Sequence, residues 1–487
     1  MTLSRWKRTA CIAGAIMFFL CAPAVSRAEG EQSGETAQDL TDLCKITEPE
    51  GRMARRMTDG NVETYTRFSK YDGVTCEWGD DAPVRGVYLK WYSMPETFEL
   101  IELDADGGEA GARTIDAPLL NAYYEIGADA RGLKIRSDEG MELCEIAFYS
   151  EGTLPEGVHD WQQPTEKADI LIFSAHADDE FLYFGGTIPT YAGERGLNVQ
   201  IVYMACEERI RMDEAMEGLW LCGVRNAPVF AGFKDAYTET LEAAEKRWGH
   251  DETLAAIVGY IRRFKPEVIV THDLEGEYGH GAHRVTAHCT LEAVSVAADG
   301  TQLLESAERY GAWQTQKLYL HLYKSGAVIM DWRVPLDAFD GKTALEMANL
   351  AYQCHVSQQE YHKNVYDTGD YSSAEFGLAY TMVGTDETGG DFLENIDPSR
   401  LSDYVAPTPS PTPEPTPTPT LAPTITPSLA PETTPEPAAQ TASHGSLLLL
   451  GVVLVLIVLC ITALVLLLKR ERRGKKRRKK GAKRREN

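Results

Sequence analysis

The chain has 487 residues, 43% of them hydrophobic, with 48 Lys+Arg against 73 Asp+Glu. That is length for two or three domains and apolar content for packed cores, which excludes a wholly disordered or fibrous chain. With residues 1–28 and 469–487 set aside, the segment 29–468 carries 31 basic against 71 acidic residues, a net of −40 that excludes nucleic acid as a favoured partner.

Residues 1–28 open on Arg5, Lys7 and Arg8, continue into an apolar run over 12–20 and close on Ser26-Arg27-Ala28. This pattern predicts a secretory signal peptide. From 40 to 152 the chain alternates apolar and polar residues in short runs, at 84–91, 97–103, 132–136 and 142–148, separated by Gly/Asp-rich turns. Period-two runs of this kind predict a β-sandwich. Export would place seven cysteines in an oxidising compartment, an odd number that leaves at least one thiol unpaired. Cys44 and Cys144 lie near the two ends of the sandwich segment and are candidates to staple it. No C-x-x-C pair exists, which argues against a cysteine-based zinc site.

Near residue 168 the rhythm changes. A continuous apolar run at 169–174 (DILIFS) predicts a buried strand, 198–204 (NVQIVYM) a second, and 267–271 (EVIVT) and 317–323 further strands, with a shorter one at 228–230. Helical stretches are expected up to about Arg195, then over 207–222, 238–264 and 281–298. Alternating β and α of these lengths predict a Rossmann-like α/β domain over 167–385 with a mostly parallel sheet. Ligand sites in such sheets lie beyond the carboxyl ends of the strands.

Residues 406–438 alternate proline and threonine with Ser, Ala and Glu, a composition that cannot form a core and predicts an extended disordered stalk. The stretch 446–468 holds 23 residues without a charge, enough to span a bilayer as a transmembrane helix. Behind it, 469–487 carries 13 basic residues against 2 acidic ones, so the tail is expected in the cytoplasm and everything before the span outside. The expectation is a single-pass cell-membrane protein with an extracellular ectodomain. Its basic tail would lie against anionic headgroups.

Two polar clusters fall at predicted strand ends. The first is Ala175-His176-Ala177-Asp178-Asp179-Glu180, directly after DILIFS. The second runs from His272 to His283, after EVIVT, and places His280 and His283 three apart at a helix start. Each cluster alone could decorate a helix end. Two at neighbouring strand ends supply ligands for a hard or borderline metal, a spare carboxylate and a spare imidazole, which is the inventory of a hydrolytic metal site.

The sequence also carries two resemblances. His176-Ala177-Asp178-Asp179-Glu180 resembles the A-H-P-D-D-E signature of the N-acetylglucosaminyl-phosphatidylinositol deacetylase-like (LmbE-like) zinc enzymes, and Tyr278-Gly279-His280 through His283 resembles their Y-G-H-x-x-H motif. Arg211 to Ala215 with Cys222-Gly223-Val224, and His355-Val356-Ser357-Gln358, match two further helices of that family. The resemblance implies zinc on His176, Asp179 and His283, Asp178 as general base, and His280 as general acid or oxyanion donor. Tyr278 would help hold the carbonyl, and Glu180, Arg211, Glu214 and His355 would serve as supports. Ala177 departs from the usual proline, and Ala205-Cys206-Glu207-Glu208 stands where the family has a Thr-x-Gly turn, which bears on the substrate rather than on the metal. In the N-terminal segment, Met57-Thr58-Asp59-Gly60-Asn61 with Thr64, the strand ending in Trp91 and the closing strand at 143–149 resemble discoidin-like (galactose-binding-like) domains. Together these imply a surface-anchored zinc deacetylase acting on the N-acetyl group of an amino-sugar glycan. The alternatives are a glycan-binding surface protein with a degenerate metal domain, or a metal-dependent hydrolase of another amide.

Overall fold

The computed structural model describes residues 35–235 and 237–402. The expected signal peptide, stalk, apolar span and basic tail lie outside the described residues, among which no helix is long and apolar enough to cross a membrane.

The N-terminal part is built from nine antiparallel strands: β1 (Lys45–Thr47), β2 (Thr66–Phe68), β3 (Gly73–Glu77), β4 (Gly86–Ser93), β5 (Thr97–Leu103), β6 (Glu109–Asp116), β7 (Asn121–Glu125), β8 (Gly132–Arg136) and β9 (Met141–Tyr149). They form a five-stranded sheet, β1-β3-β8-β5-β6, and a four-stranded one, β2-β9-β4-β7. Alternation turns Val87, Leu89 and Trp91 of β4 and Phe98 and Leu100 of β5 into one shared core, where the Trp91 and Phe98 rings meet at 5.0 Å. All seven cysteines among the described residues are free thiols. Cys144 Sγ donates to Val62 O at 3.0 Å and Cys44 Sγ to Leu40 O at 3.4 Å, so no bridge joins that pair.

The second part is a seven-stranded sheet in the order β12-β11-β10-β13-β14-β16-β15. Its strands are β10 (Ile170–Ser174), β11 (Val199–Tyr203), β12 (Val229–Phe230), β13 (Val268–Thr271), β14 (Lys317–His321), β15 (Ala327–Ile329) and β16 (Glu375–Thr381). The first five in that order run parallel; β16 is antiparallel to both its neighbours. Both faces are covered, which is why β10 reads as an unbroken apolar run. Ile170 and Ile172 enter the core on one face; Leu171 and Phe173 enter the core on the other.

Seven helices accompany this sheet: α1 (Asp179–Leu182), α2 (Arg209–Leu221), α3 (Leu241–Trp248), α4 (His250–Phe264), α5 (Gly281–Ala298), α6 (Leu304–Tyr310) and α7 (Ala344–Tyr352). The helix expected up to Arg195 is broken into α1 and a π-helical turn at Pro189–Glu194, because Pro189 cannot donate within a continuous helix. The His355-Val356-Ser357-Gln358 segment is a single 3₁₀ turn, Val356–Gln358, rather than a helix. Residues beyond 385 also pack on this part: Phe392 and Ile396 are buried in its core, and Lys317 pairs with Asp386 at 2.5 Å.

Helix α2 joins the two parts. Lys90 Nζ lies 3.0 Å from Asp213, Asn121 Nδ2 donates to Asp213 at 2.8 Å, and Arg209 Nε donates to the Trp91 carbonyl at 2.6 Å. Burial works to raise the Asp213 carboxyl, but Lys90 and Arg209 hold it below the usual carboxylate range. One turn further on, the His159 ring stacks on Trp220 at 4.5 Å, and its Nε2 lies 2.9 Å from Glu217.

Candidate active site

From β10 the chain steps to β11 and β12 on one side of the sheet, then crosses to β13 on the other. The carboxyl ends of β10 and β13 therefore flank a crevice, the position at which open α/β sheets bind ligands. Both predicted clusters fall there. His176, Asp178 and Asp179 follow β10, and His280 and His283 follow β13, at the start of α5.

Three of these residues converge on one point. His176 Nδ1 lies 3.0 Å from Asp179 Oδ2 and 3.2 Å from His283 Nε2, and the last two atoms are 3.2 Å apart. Ligand atoms about 2.0–2.1 Å from a tetrahedral zinc ion are separated by roughly 3.3 Å, so the triangle fits that ion, and two imidazoles with one carboxylate are a catalytic-type donor set. Charge agrees with spacing. Burial disfavours a charged His283, yet the Asp179 and Glu277 carboxylates on either side push it up to about 10. The same field that holds a proton there would hold a metal cation. His272 also lies near, with Nε2 3.7 Å from Asp179 Oδ2, but that nitrogen already accepts from the Ala175 N–H at 2.8 Å and is not free to ligate.

Asp178 points elsewhere. Its φ of +129° is one that L-residues rarely adopt, and it turns the carboxylate away from that of Asp179. The strained position is held by three hydrogen bonds from two side chains: Asp178 N donates to Glu180 Oε2 at 2.7 Å, and Arg211 Nη2 donates to both Ala177 O at 2.5 Å and Asp178 Oδ1 at 2.9 Å. Burial first, and then Asp179, push the Asp178 carboxyl up to about 7 against the pull of Arg211. A carboxylate in that range is matched to taking a proton near neutral pH.

His280 caps α5, its Nδ1 accepting from Ala282 N at 3.2 Å. Burial, then His176 and His283, lower it to about 3, so the ring is neutral and its one proton is assigned to Nε2. An uncharged N–H donor thus stands 4.7 Å, ring to ring, from His176. Tyr278 is 45% exposed at the mouth, its ring 5.7 Å from His280, and burial raises its hydroxyl so that it keeps its proton.

The supporting residues act through these. Glu180 Oε1 meets His355 Nε2 at 2.8 Å, and Glu214 accepts from Ser357 N and Oγ at 2.8 and 2.6 Å. Sequence reasoning missed Asp235, whose Oδ1 lies 3.3 Å from His176 Nε2, and Tyr237, whose ring stands 5.0 Å from His280. It also assigned nothing to Glu277, His272 or His321. His321 carried a readable signal, since it is a polar residue at the carboxyl end of a parallel strand of the same sheet. Asp235 carried none.

Residues 171–294 match the family model for GlcNAc-PI de-N-acetylase (PIG-L). A 1D-myo-inositol 2-acetamido-2-deoxy-alpha-D-glucopyranoside deacetylase of Rhodococcus jostii is 31% identical over 187 residues, which are 33% of this chain and 63% of that protein. The chain thus matches less than two thirds of that relative's length. The protein of the same description from Rhodococcus erythropolis is 32% identical over 266 residues, 44% of this chain and 86% of the relative. Among solved structures, the N,N'-diacetylchitobiose deacetylase of Pyrococcus horikoshii is similar at 20% identity and a TM-score of 0.29, covering 41% of this chain and 74% of that one.

Proposed function

We propose, since this chain belongs to the GlcNAc-PI de-N-acetylase (PIG-L) family, that it is a zinc-dependent deacetylase removing the N-acetyl group of an N-acetylglucosamine-type glycan or glycoconjugate. The observation that carries this reading is the ligand triangle of His176, Asp179 and His283, with Asp178 held apart from it by Arg211. A zinc ion on that triangle supplies Lewis-acid polarisation of a carbonyl and lowers the pKa of water. The chain's own groups do the rest. Asp178 takes the proton of the attacking water and returns it to the departing amine. His280, with its proton on Nε2, donates to the oxygen on which negative charge develops, and the Tyr278 hydroxyl steadies that oxygen from the mouth. All five of His176, Asp178, Asp179, His280 and His283 are present and gathered at one crevice, which speaks against a degenerate metal domain.

The relatives' printed substrate is an N-acetylated glucosaminide, which supports an amino sugar as the acyl-bearing unit here. Glu207 and Glu208, exposed after β11 where the family has its Thr-x-Gly turn, favour a different group attached to that sugar. The 29–405 segment loaded with Zn²⁺ is expected to release acetate and free amine from N-acetylglucosamine oligomers, and chelation is expected to stop it. Turnover of other amides with none of these sugars would transfer the assignment to the alternative hydrolase.

The sandwich would serve as a discoidin-like module that presents glycan, and the termini would tether the ectodomain outside the cell. Protease added to intact cells should then release a soluble fragment carrying the activity. Full protection of the chain while the membrane is intact would contradict this orientation.

A further inference from the structure

Behind the ligand triangle lies a carboxylate that the proposed chemistry does not use. Glu277 sits in the turn between β13 and α5 at φ +47°, a left-handed conformation that turns its side chain inward to complete burial. Gly276 makes the turn feasible: its φ is +74°, and a Cβ there would come within 2.5 Å of the His280 carbonyl. The two carboxylate oxygens of Glu277 face four nitrogens. Oε2 meets His283 Nδ1 at 2.6 Å; Oε1 meets His272 Nδ1 at 3.1 Å, His321 Nδ1 at 2.9 Å and the Asp273 N–H at 3.1 Å.

The partners on the far side of each ring assign the protons. His272 Nε2 accepts from the Ala175 N–H, so its single proton is on Nδ1 and points at Glu277. His283 presents Nε2 to Asp179 and His176, so its Nδ1 donates to Glu277. His321 Nε2 faces the Ser372 carbonyl at 2.9 Å, an acceptor only, and Nδ1 faces the carboxylate, an acceptor only. His321 thus braces the Glu277 carboxylate from β14, and both side chains are fully buried. The carboxylate is thus a hub that gathers His272 and Asp273 from just after β13, His283 from α5 and His321 from β14.

We infer that Glu277 is a positioning residue for the metal ligand His283, fixing its tautomer and ring angle, with His272 and His321 bracing the carboxylate at its other oxygen. The inference rests on the zinc reading proposed above. A metal-bound imidazole whose second nitrogen donates to a carboxylate is both oriented and made more basic, and loss of such a partner typically costs about 10–100-fold in metal affinity.

The test is metal affinity, measured by competition between the ectodomain and a chromophoric chelator for Zn²⁺, together with the absorption spectrum of the Co²⁺-loaded protein. Glu277→Gln is expected to weaken Zn²⁺ binding about 10–100-fold and to shift the Co²⁺ bands, with kcat recovering to within a few-fold of wild type at saturating zinc. Glu277→Asp keeps the negative charge but draws the carboxylate back by one methylene, and is expected to weaken Zn²⁺ binding less than Glu277→Gln does. A merely structural role would lower thermal stability without moving the affinity or the Co²⁺ bands. Glu277→Gln with wild-type affinity and spectrum overturns the inference and leaves the zinc reading standing. Wild-type protein that takes up neither ion overturns both. Should Glu277→Gln fail to fold, Glu277→Asp decides alone, and wild-type affinity and Co²⁺ spectrum there overturn the inference.

Discussion

Asp178→Asn is expected to keep close to one zinc ion per chain while kcat falls by about two to four orders of magnitude, the loss typical of a general base. Its carboxylate and that of Asp179 are adjacent in sequence yet serve different partners. Asp179 closes the triangle with His176 and His283, whereas Asp178, turned by its φ of +129°, is gripped by Arg211 at 2.9 Å. Asparagine has the same shape and still offers Arg211 an oxygen, so the loop and the ligands should stay where they are. What disappears is the ability to take a proton. Metal analysis beside steady-state kinetics reads both quantities, and hydrolysis at the wild-type rate would remove Asp178 from the mechanism.

Asp179→Asn and His283→Ala should fail in a different way, losing ion and turnover together. Each removes one corner of a triangle whose edges are 3.0–3.2 Å, and two remaining donors do not hold zinc tightly. Asp179→Asn also takes away the negative charge that, with Glu277, calls for a cation at His283. Ion content is expected to drop below roughly a tenth per chain and activity to background. Stability supplies a second reading: an ion at about 100 times its Kd adds roughly 2.7 kcal/mol to the native state, so zinc should raise the melting temperature of wild type and not of these variants. Stoichiometric ion in either variant would mean that the triangle is not the metal site.

Much of this site could be read from residue order alone because its chemistry is local. His176 through Glu180 follow β10 directly, and α5 occupies 281–298 as expected, beginning at the glycine after its cap His280. The parallel strands were legible where they are buried on both faces, most plainly β10 and β13, which read as nearly unbroken apolar runs. The parts that were not legible are set by distant contacts. β6 is exposed along nearly its whole length and shows no alternation. β16 contains Gly377, which suggests a turn, but the glycine is there because a Cβ would lie 2.2 Å from the Tyr323 carbonyl. The Glu277 hub draws its histidines from the residue after β13, from α5 and from β14, separated by up to 49 residues, and Asp235 reaches His176 from an irregular loop. No local pattern announces such meetings.

The joint on α2 has its own consequence. The same helix that receives Lys90, Asn121 and the Trp91 carbonyl through Arg209 and Asp213 sends Arg211 to Asp178. A sandwich fastened in this way is a bracket and not a leash. It has no freedom to cast about for carbohydrate at the end of the connection over 150–168. Any sugar it grips would be offered to the crevice at one offset and one angle, as a workpiece is held in a jig.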